Sequence, residues 1–372
     1  MAAYLDHAAT TPMRPEAVTA MLPFLTEHFG NPSGSHRVSR VARDAMDEAR
    51  ETVAACLGAD PGEIVFTGSG TEADNLALFG VCATGGIPVC PASEHHAVLH
   101  SVEVLGGRIV EVRGDGLVDL DRLADALDQT VSVVSVMAAN NETGTIQPLA
   151  TVATLVREKA PGAVLHTDAV QAFPWLDVAT LAEPFDLVAV SAHKFGGPKG
   201  VGALVVRQGV RIAPVTHGGG QERGRRSGTH NVAGVVGMAA AMRATVETRA
   251  ATVERVGRLR DRLADGLLSA VPGAVETGER DSKVAGNCHL RFPGVETEAL
   301  LVLLDEAGVC AAAGSACASG SVEPSHVLTA IGVPRDEALS AVRFSLGPTT
   351  TGGEVDLALK VVPEAVARLQ GA

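Results

Sequence analysis

Between residues 63 and 206, short apolar runs alternate with helix-patterned stretches, and this alternation most narrowly limits the fold. Runs rich in Val, Ile and Leu lie at 63–66, 87–90, 108–112, 131–137, 163–166, 187–190 and 201–206, while helical spacing occupies 72–79, 120–127 and 149–159. Strands separated by helices build a largely parallel sheet covered by helices on both faces. In such sheets ligands sit beyond the carboxyl ends of the strands. Thr71, His95, Asn141, Asp168 and Lys194 each fall just after a strand. Their shared placement predicts one site assembled from many segments.

Beyond this region the pattern changes. A helical stretch at 232–271 leads into a smaller α+β unit, with strands at 287–292 and 342–346 and helices at 298–307, 325–330 and 354–369. A length of 372 residues suits two or three domains of about 150 residues each. The net charge of −13 argues against a broad nucleic-acid surface. Apolar runs are short and broken by charge, so no membrane span is expected, and the N-terminus lacks the pattern of a signal peptide. Six cysteines without a CxxC pair fit a reducing cytoplasm, with thiols for packing or catalysis, and no metal site is expected.

The richest chemistry lies at Ser191-Ala-His-Lys-Phe-Gly-Gly-Pro-Lys-Gly200. A lysine at a strand end can condense with an aldehyde as a Schiff base. Ser191 and His193 can hold an anion beside it, and Gly196, Gly197 and Gly200 let backbone approach a bound group. Pyridoxal phosphate, a phosphorylated aldehyde, meets all of these demands. The bland alternative is a surface lysine in a turn. Thr67-Gly-Ser-Gly-Thr71 opens a helix and reads as a phosphate cup or as a plain helix cap. Arg223, Arg225 and Arg226 in a glycine-rich loop read as an anion contact or as a solvated basic loop. Residues 1–14 read as an ordered arm or a frayed end. Cys317 sits in a run of small residues at 310–321 that offers little to a core, which suits an accessible nucleophile, whereas Cys310 ends an apolar stretch and reads as buried.

Taken together, these stretches resemble the cysteine desulfurases, pyridoxal-phosphate enzymes of the class V aminotransferase family with the fold type I architecture. The resemblance rests on Tyr4-Leu-Asp-His-Ala-Ala-Thr-Thr-Pro12, Asn31-Pro-Ser33 with His36, Phe66-Thr-Gly-Ser-Gly-Thr-Glu-Ala-Asp-Asn75 and Glu94-His95. It continues through Asn140-Asn-Glu-Thr-Gly144, His166-Thr-Asp-Ala-Val-Gln171, Ser191-Ala-His-Lys194, Arg223-Gly-Arg-Arg-Ser-Gly-Thr229, Gly314-Ser-Ala-Cys317 and Arg343-Phe-Ser-Leu-Gly347. It implies a large cofactor-binding domain over 15–250, with a mostly parallel mixed sheet flanked by helices. The small α+β domain would comprise 1–14 and 251–372 and carry the thiol loop.

The resemblance also implies roles. Lys194 would bind the aldehyde and then take the substrate Cα proton. Asp168 would face the pyridine nitrogen and Gln171 the ring 3-oxygen. His95 would stack on the ring and shuttle protons. Gly70, Thr71, Ser191 and His193 would hold the phosphate, and Thr229 would reach the phosphate in the neighbouring subunit of a homodimer. Asn141 would touch cofactor or substrate, and Arg343 would clamp the substrate carboxylate. Cys317 would receive the sulfur of L-cysteine as a persulfide and pass it to an acceptor protein for iron–sulfur assembly or tRNA thiolation. The short tail after the last helix favours a tRNA-thiolation acceptor over a scaffold. Pro348, where relatives often carry a basic or aromatic residue, predicts a different substrate-side wall, and His96 replaces a lysine with little expected effect. Rival readings are a selenocysteine lyase or another enzyme of the superfamily, a non-catalytic sulfur-transfer subunit, and a cysteine hydrolase. Cys317 and Lys194 together argue against them.

Overall fold

The structure is a computed structural model and describes residues 2–314 and 323–371. Twelve strands are present among these: β1 (Ala3–Tyr4), β2 (Ile64–Thr67), β3 (Ile87–Pro91), β4 (Arg108–Val110), β5 (Val131–Ser135), β6 (Val164–Asp168), β7 (Leu187–Ser191), β8 (Gly202–Val206), β9 (Val275–Glu276), β10 (Asn287–Arg291), β11 (Val309–Cys310) and β12 (Ala341–Ser345). The helices are α1 (Pro15–Thr26), α2 (Arg37–Cys56), α3 (Gly70–Cys82), α4 (His96–Val104), α5 (Leu120–Asp125), α6 (Leu149–Lys159), α7 (Val178–Leu181), α8 (Val232–Ala270), α9 (Thr297–Glu306), α10 (His326–Ala330), α11 (Arg335–Ala338) and α12 (Gly352–Gln370).

Seven strands form one sheet in the order β2-β8-β7-β6-β5-β3-β4. β8 runs antiparallel to both neighbours, and the other pairings are parallel. Because β2, β3, β5, β6 and β7 point the same way, their carboxyl ends meet along one edge. β7 is buried throughout, as a central strand covered on both faces requires. The second sheet is antiparallel, in the order β12-β10-β9. α8 joins two cores: Met238 and Met242 pack with the large sheet, and Val256, Leu263 and Leu267 pack with β10, β12 and α12. Among the described residues no helix is long and apolar enough to cross a membrane.

One open alternative is decided and two readings need correction. The N-terminal stretch is an arm and not a frayed end: β1 pairs with β11, and the Tyr4 hydroxyl donates to Thr10 O at 2.8 Å. Cys310 is half-buried, because a two-residue strand at the lobe margin cannot cover its thiol. The strand expected over 108–112 ends at Val110, since Val112 turns back to bridge Val118.

Candidate active site

A cavity of about 300 Å³ opens beyond the carboxyl ends of β2, β3, β5, β6 and β7. Among the described residues, it is lined by every residue to which the resemblance assigned a role except Thr229. β7 ends at Ser191, and a tight turn over Ala192–Lys194 aims the lysine back over the sheet edge. Lys194 Nζ donates to Ala8 O at 2.6 Å and Ala9 O at 3.0 Å, so the arm roofs the lysine. Gln171 Nε2 donates to the same Ala8 carbonyl at 2.8 Å.

One end of the cavity is built for an anion. Ser69 caps α3 by accepting from Glu72 N at 3.1 Å, and the first turn that follows carries Gly70 and Thr71. Unpaired N–H groups and the helix dipole favour negative charge there. A Cβ at Gly70 would stand 2.8 Å from Val170 Cγ2 and 3.2 Å from Ser191 Cβ, so only glycine keeps this approach. His193 Nδ1 lies 3.2 Å from Thr10 Oγ1, and burial beside Lys194 and Lys199 pushes its ring down to about 4, leaving it neutral.

The opposite end is acidic. Asp168 closes β6 and accepts from Val170 N at 2.8 Å. Burial pushes its carboxyl up to about 6, against the pull of that bond and of Lys194. Two further acids were not anticipated as site groups. Asp74 on α3 also lines the cavity, and burial, Asp168 and Glu94 hold its carboxyl well above the usual range. Glu94 accepts from Met137 N at 2.6 Å and is likewise raised by burial. Asp74 Oδ1 and Glu94 Oε2 have no hydrogen-bond partner among the described residues. His166 Nε2 lies 3.5 Å from Asp74 Oδ1, but burial holds that imidazole at about 3, so the contact is not an ion pair.

The remaining wall comes from distant segments. Arg343 on β12 donates to Asp6 Oδ1 at 2.9 Å and to Asn141 O at 2.8 Å. Asn141 Oδ1 is buried without a partner among the described residues. His95 caps α4, its Nδ1 accepting from Ala97 N at 3.1 Å; burial, then Lys194 and the neighbouring imidazoles, push it down to about 4. His326, outside the anticipated set, also lines the cavity and lies ring to ring with His96, 4.3 Å between centroids.

Lys194, the Gly70–Thr71 helix start, Asp168 and Arg343 thus line one cavity. Residues 3–358 match the family described as aminotransferase class V. A cysteine desulfurase IscS of Methanosarcina thermophila is 43% identical over 382 residues, covering 99% of this chain and 93% of that protein. This chain belongs to the cysteine desulfurases. A cysteine desulfurase IscS of Dictyoglomus turgidum is 42% identical, covering 99% of this chain and 95% of that protein. A solved NifS-like protein superposes with a TM-score of 0.92 at 37% identity, covering 99% of this chain and all of that one.

Cysteine desulfurases depend on pyridoxal phosphate, and the residues present fit that group. The Gly70–Thr71 helix start faces the cavity and suits a phosphate, the raised Asp168 carboxyl needs a cationic partner, and the buried Asn141 oxygen needs a donor. Other anticipated features lie elsewhere. Thr229 lines a separate cavity of about 80 Å³ with Phe66, Gly200 and Arg226. Cys317 lies outside the described residues, although Gly314 before it lines the main cavity. Pro348 is not on that wall; its carbonyl accepts from Arg255 Nη2 at 2.5 Å. Gly196 and Gly197 serve chain packing and not ligand approach, since a Cβ at either would meet Arg14 or Ala192. The arginine loop is largely structural: Arg226 pairs with Glu72 at 2.7 Å, and Arg223 donates to Gly62 O at 3.1 Å.

Proposed function

We propose that this protein converts L-cysteine to L-alanine with pyridoxal phosphate as cofactor, leaving the sulfur as a persulfide on Cys317. The observation that carries this reading is one cavity in which Lys194 stands between the Gly70–Thr71 cradle and Asp168, with Arg343 opposite, in a cysteine desulfurase chain. Pyridoxal phosphate supplies an aldehyde that condenses with amines and a ring that accepts electrons.

The protein's own residues do the rest. Gly70, Thr71, Ser191 and His193 hold the phosphate. Asp168 would keep the ring nitrogen protonated, and Gln171, which donates to Ala8 O, would serve the ring oxygen. Arg343 exchanges Asp6 for the substrate carboxylate. Lys194 Nζ is the amine that would hold the aldehyde and, once the substrate amine has replaced it, the base that would take the proton from Cα. His95, neutral near pH 7, would cover the ring face and could accept a proton from sulfur. Overall, L-cysteine and the Cys317 thiol become L-alanine and a Cys317 persulfide. The Cβ–S bond breaks, an S–S bond forms, and the thiol protons remain with the products.

A second thiol, on an acceptor protein serving iron–sulfur assembly or tRNA thiolation, then takes the terminal sulfur. The working unit is a cytoplasmic homodimer in which Thr229 serves the other subunit's phosphate site. The test incubates purified protein with L-cysteine and a thiol reductant and measures alanine and sulfide, with Cys317→Ala alongside. Equimolar products from the wild type and none from the variant, with an unchanged cofactor absorption band, are expected. Alanine from the variant at the wild-type rate overturns the role of Cys317.

A further inference from the structure

Asp74 and His166 have no part in the chemistry above, yet both adjoin residues that do. His166 faces Ser135 in the β5–β6 pairing, and its Nδ1 lies 2.8 Å from Ser135 Oγ. Asp168 follows His166 by two positions on β6, so both side chains leave one face of the sheet. On α3, Asp74 follows Gly70 and Thr71 at helical spacing, and all three line the cavity. Asp74 Oδ1 stands 3.5 Å from His166 Nε2. Neither atom has a hydrogen-bond partner among the described residues. Water cannot serve them, because Ser135 and His166 are fully buried and Asp74 is 1% exposed. An approach of about 0.5 Å makes the pair a hydrogen bond, and one proton between the two atoms satisfies both.

That proton has two possible homes. On His166 Nε2 it leaves Asp74 an anion close to Asp168 and Glu94, and like charges in a dry wall do not ionise together. On Asp74 it gives an O–H that donates to Nε2, while Nδ1–H donates to Ser135 Oγ, and every group in the chain is neutral. Asp168 is the better place for the charge, since Val170 N donates to it and Lys194 acts on it. Burial, Asp168 and Glu94 all act on Asp74 in the opposite sense. We propose that Asp74 is a positioning residue for the cofactor, a neutral acid that donates to His166, ties the helix carrying the phosphate cradle to β6 and leaves Asp168 as the carboxylate that meets the ring nitrogen. The proposal rests on the reading of Asp168 as the partner of that nitrogen.

The test compares wild type with Asp74→Asn, Asp74→Ala, His166→Gln and Asp168→Asn. Infrared difference spectra of the holoenzymes at neutral pH read the C=O stretch of a protonated carboxyl. Titration of the cofactor-stripped full chain with pyridoxal phosphate, followed by visible absorption, gives the dissociation constant. Asp74→Asn should remove a protonated-carboxyl band and keep the constant within about threefold, because an amide donates to Nε2 as the acid does. Asp74→Ala should remove the same band and raise the constant about tenfold, the scale of one buried partner lost. A difference spectrum that shows a lost carboxylate in place of a lost acid overturns the proposal, as does an Asp74→Ala constant within twofold of wild type. If Asp74→Asn does not fold, His166→Gln decides: the acid band should shift in frequency, and an unmoved or absent acid band overturns the proposal. If Asp168→Asn binds pyridoxal phosphate as tightly as wild type, the reading of Asp168 fails and this proposal fails with it. If Asp168→Asn binds weakly and Asp74→Asn binds equally weakly, Asp74 serves as a second anion and this proposal alone fails.

Discussion

The two walls of the cavity solve their electrostatics in opposite ways. On the sheet wall, Asp168 and Asp74 are buried acids pushed upward, as is Glu94 buried near them, and Asp74 and Glu94 each keep an oxygen without a hydrogen bond among the described residues. On the arm wall, Arg343 is paired with Asp6 and Glu142 with Ser325. The sheet wall carries an unmet demand for positive charge, which a protonated ring nitrogen would meet. On the arm wall the charged Arg343 and Glu142 already have partners, so a substrate carboxylate would bind there by exchanging Asp6. Changes on the first wall should act on cofactor retention, and changes on the second on substrate affinity.

The largest effect that would break this division is at Asp168. Asp168→Asn removes the charge that holds a cationic ring nitrogen, and turnover should fall by about 10²–10³, with weaker retention of the absorption band through dialysis. A loss below threefold would remove the distinction between the walls. Arg343→Ala should act the other way. The KM for L-cysteine should rise by about 10- to 100-fold, the scale of one charge-assisted pair, while cofactor absorption stays unchanged. Asp6→Asn sharpens the point, because it removes the group that the substrate displaces. The Asp6 carboxylate is partly exposed, so the pair is worth at most about 1 kcal/mol, and KM should fall by no more than about fivefold. A KM that rises in Asp6→Asn would show that Asp6 orients Arg343 and does not compete for it.

The two walls also differ in how far they could be read from sequence. Gly70, Thr71, His95, Asp168, Ser191, His193 and Lys194 stand at strand ends or the helix starts that follow, so the alternation alone placed them together. Asp74 escaped because an acid inside a helix is read as solvent-facing, and only packing against β6 and α4 buries it. The arm wall gave no local signal. Residues 1–14 carry no usable period, and their place depends on pairing between Ala3–Tyr4 and Val309–Cys310, some 306 positions apart. Ser325 at the Glu142 carboxylate is likewise a contact across 183 positions. The glycines at 196 and 197 were misread for the same reason, since the Arg14 and Ala192 contacts that require them are set by how the arm and the turn pack.

The smallest effect opposes the walls through pH. His289, behind the arm wall, is buried and held at about 3 by burial, then by Lys283, Arg343 and Arg291. As pH falls below the usual 6.5, the unfolded chain takes up a proton there and the folded chain does not. Its contribution to stability is therefore complete above pH 6.5 and is lost as pH falls toward about 3. Asp168 has the opposite sign. The folded form takes its proton near 6 and the unfolded form near 3.8, so in the cofactor-free protein acidification through that window stabilises. Between pH 4 and 6 both groups are in play, and each changes the slope of unfolding free energy by at most about 1.4 kcal/mol per pH unit. Urea unfolding of cofactor-free protein across this range should give a shallower loss on acidification for His289→Asn and a steeper one for Asp168→Asn. Slopes that shift in the same direction would mean that the two walls do not carry opposite charge demands. Slopes unchanged from wild type would mean that neither group titrates differently in the folded chain.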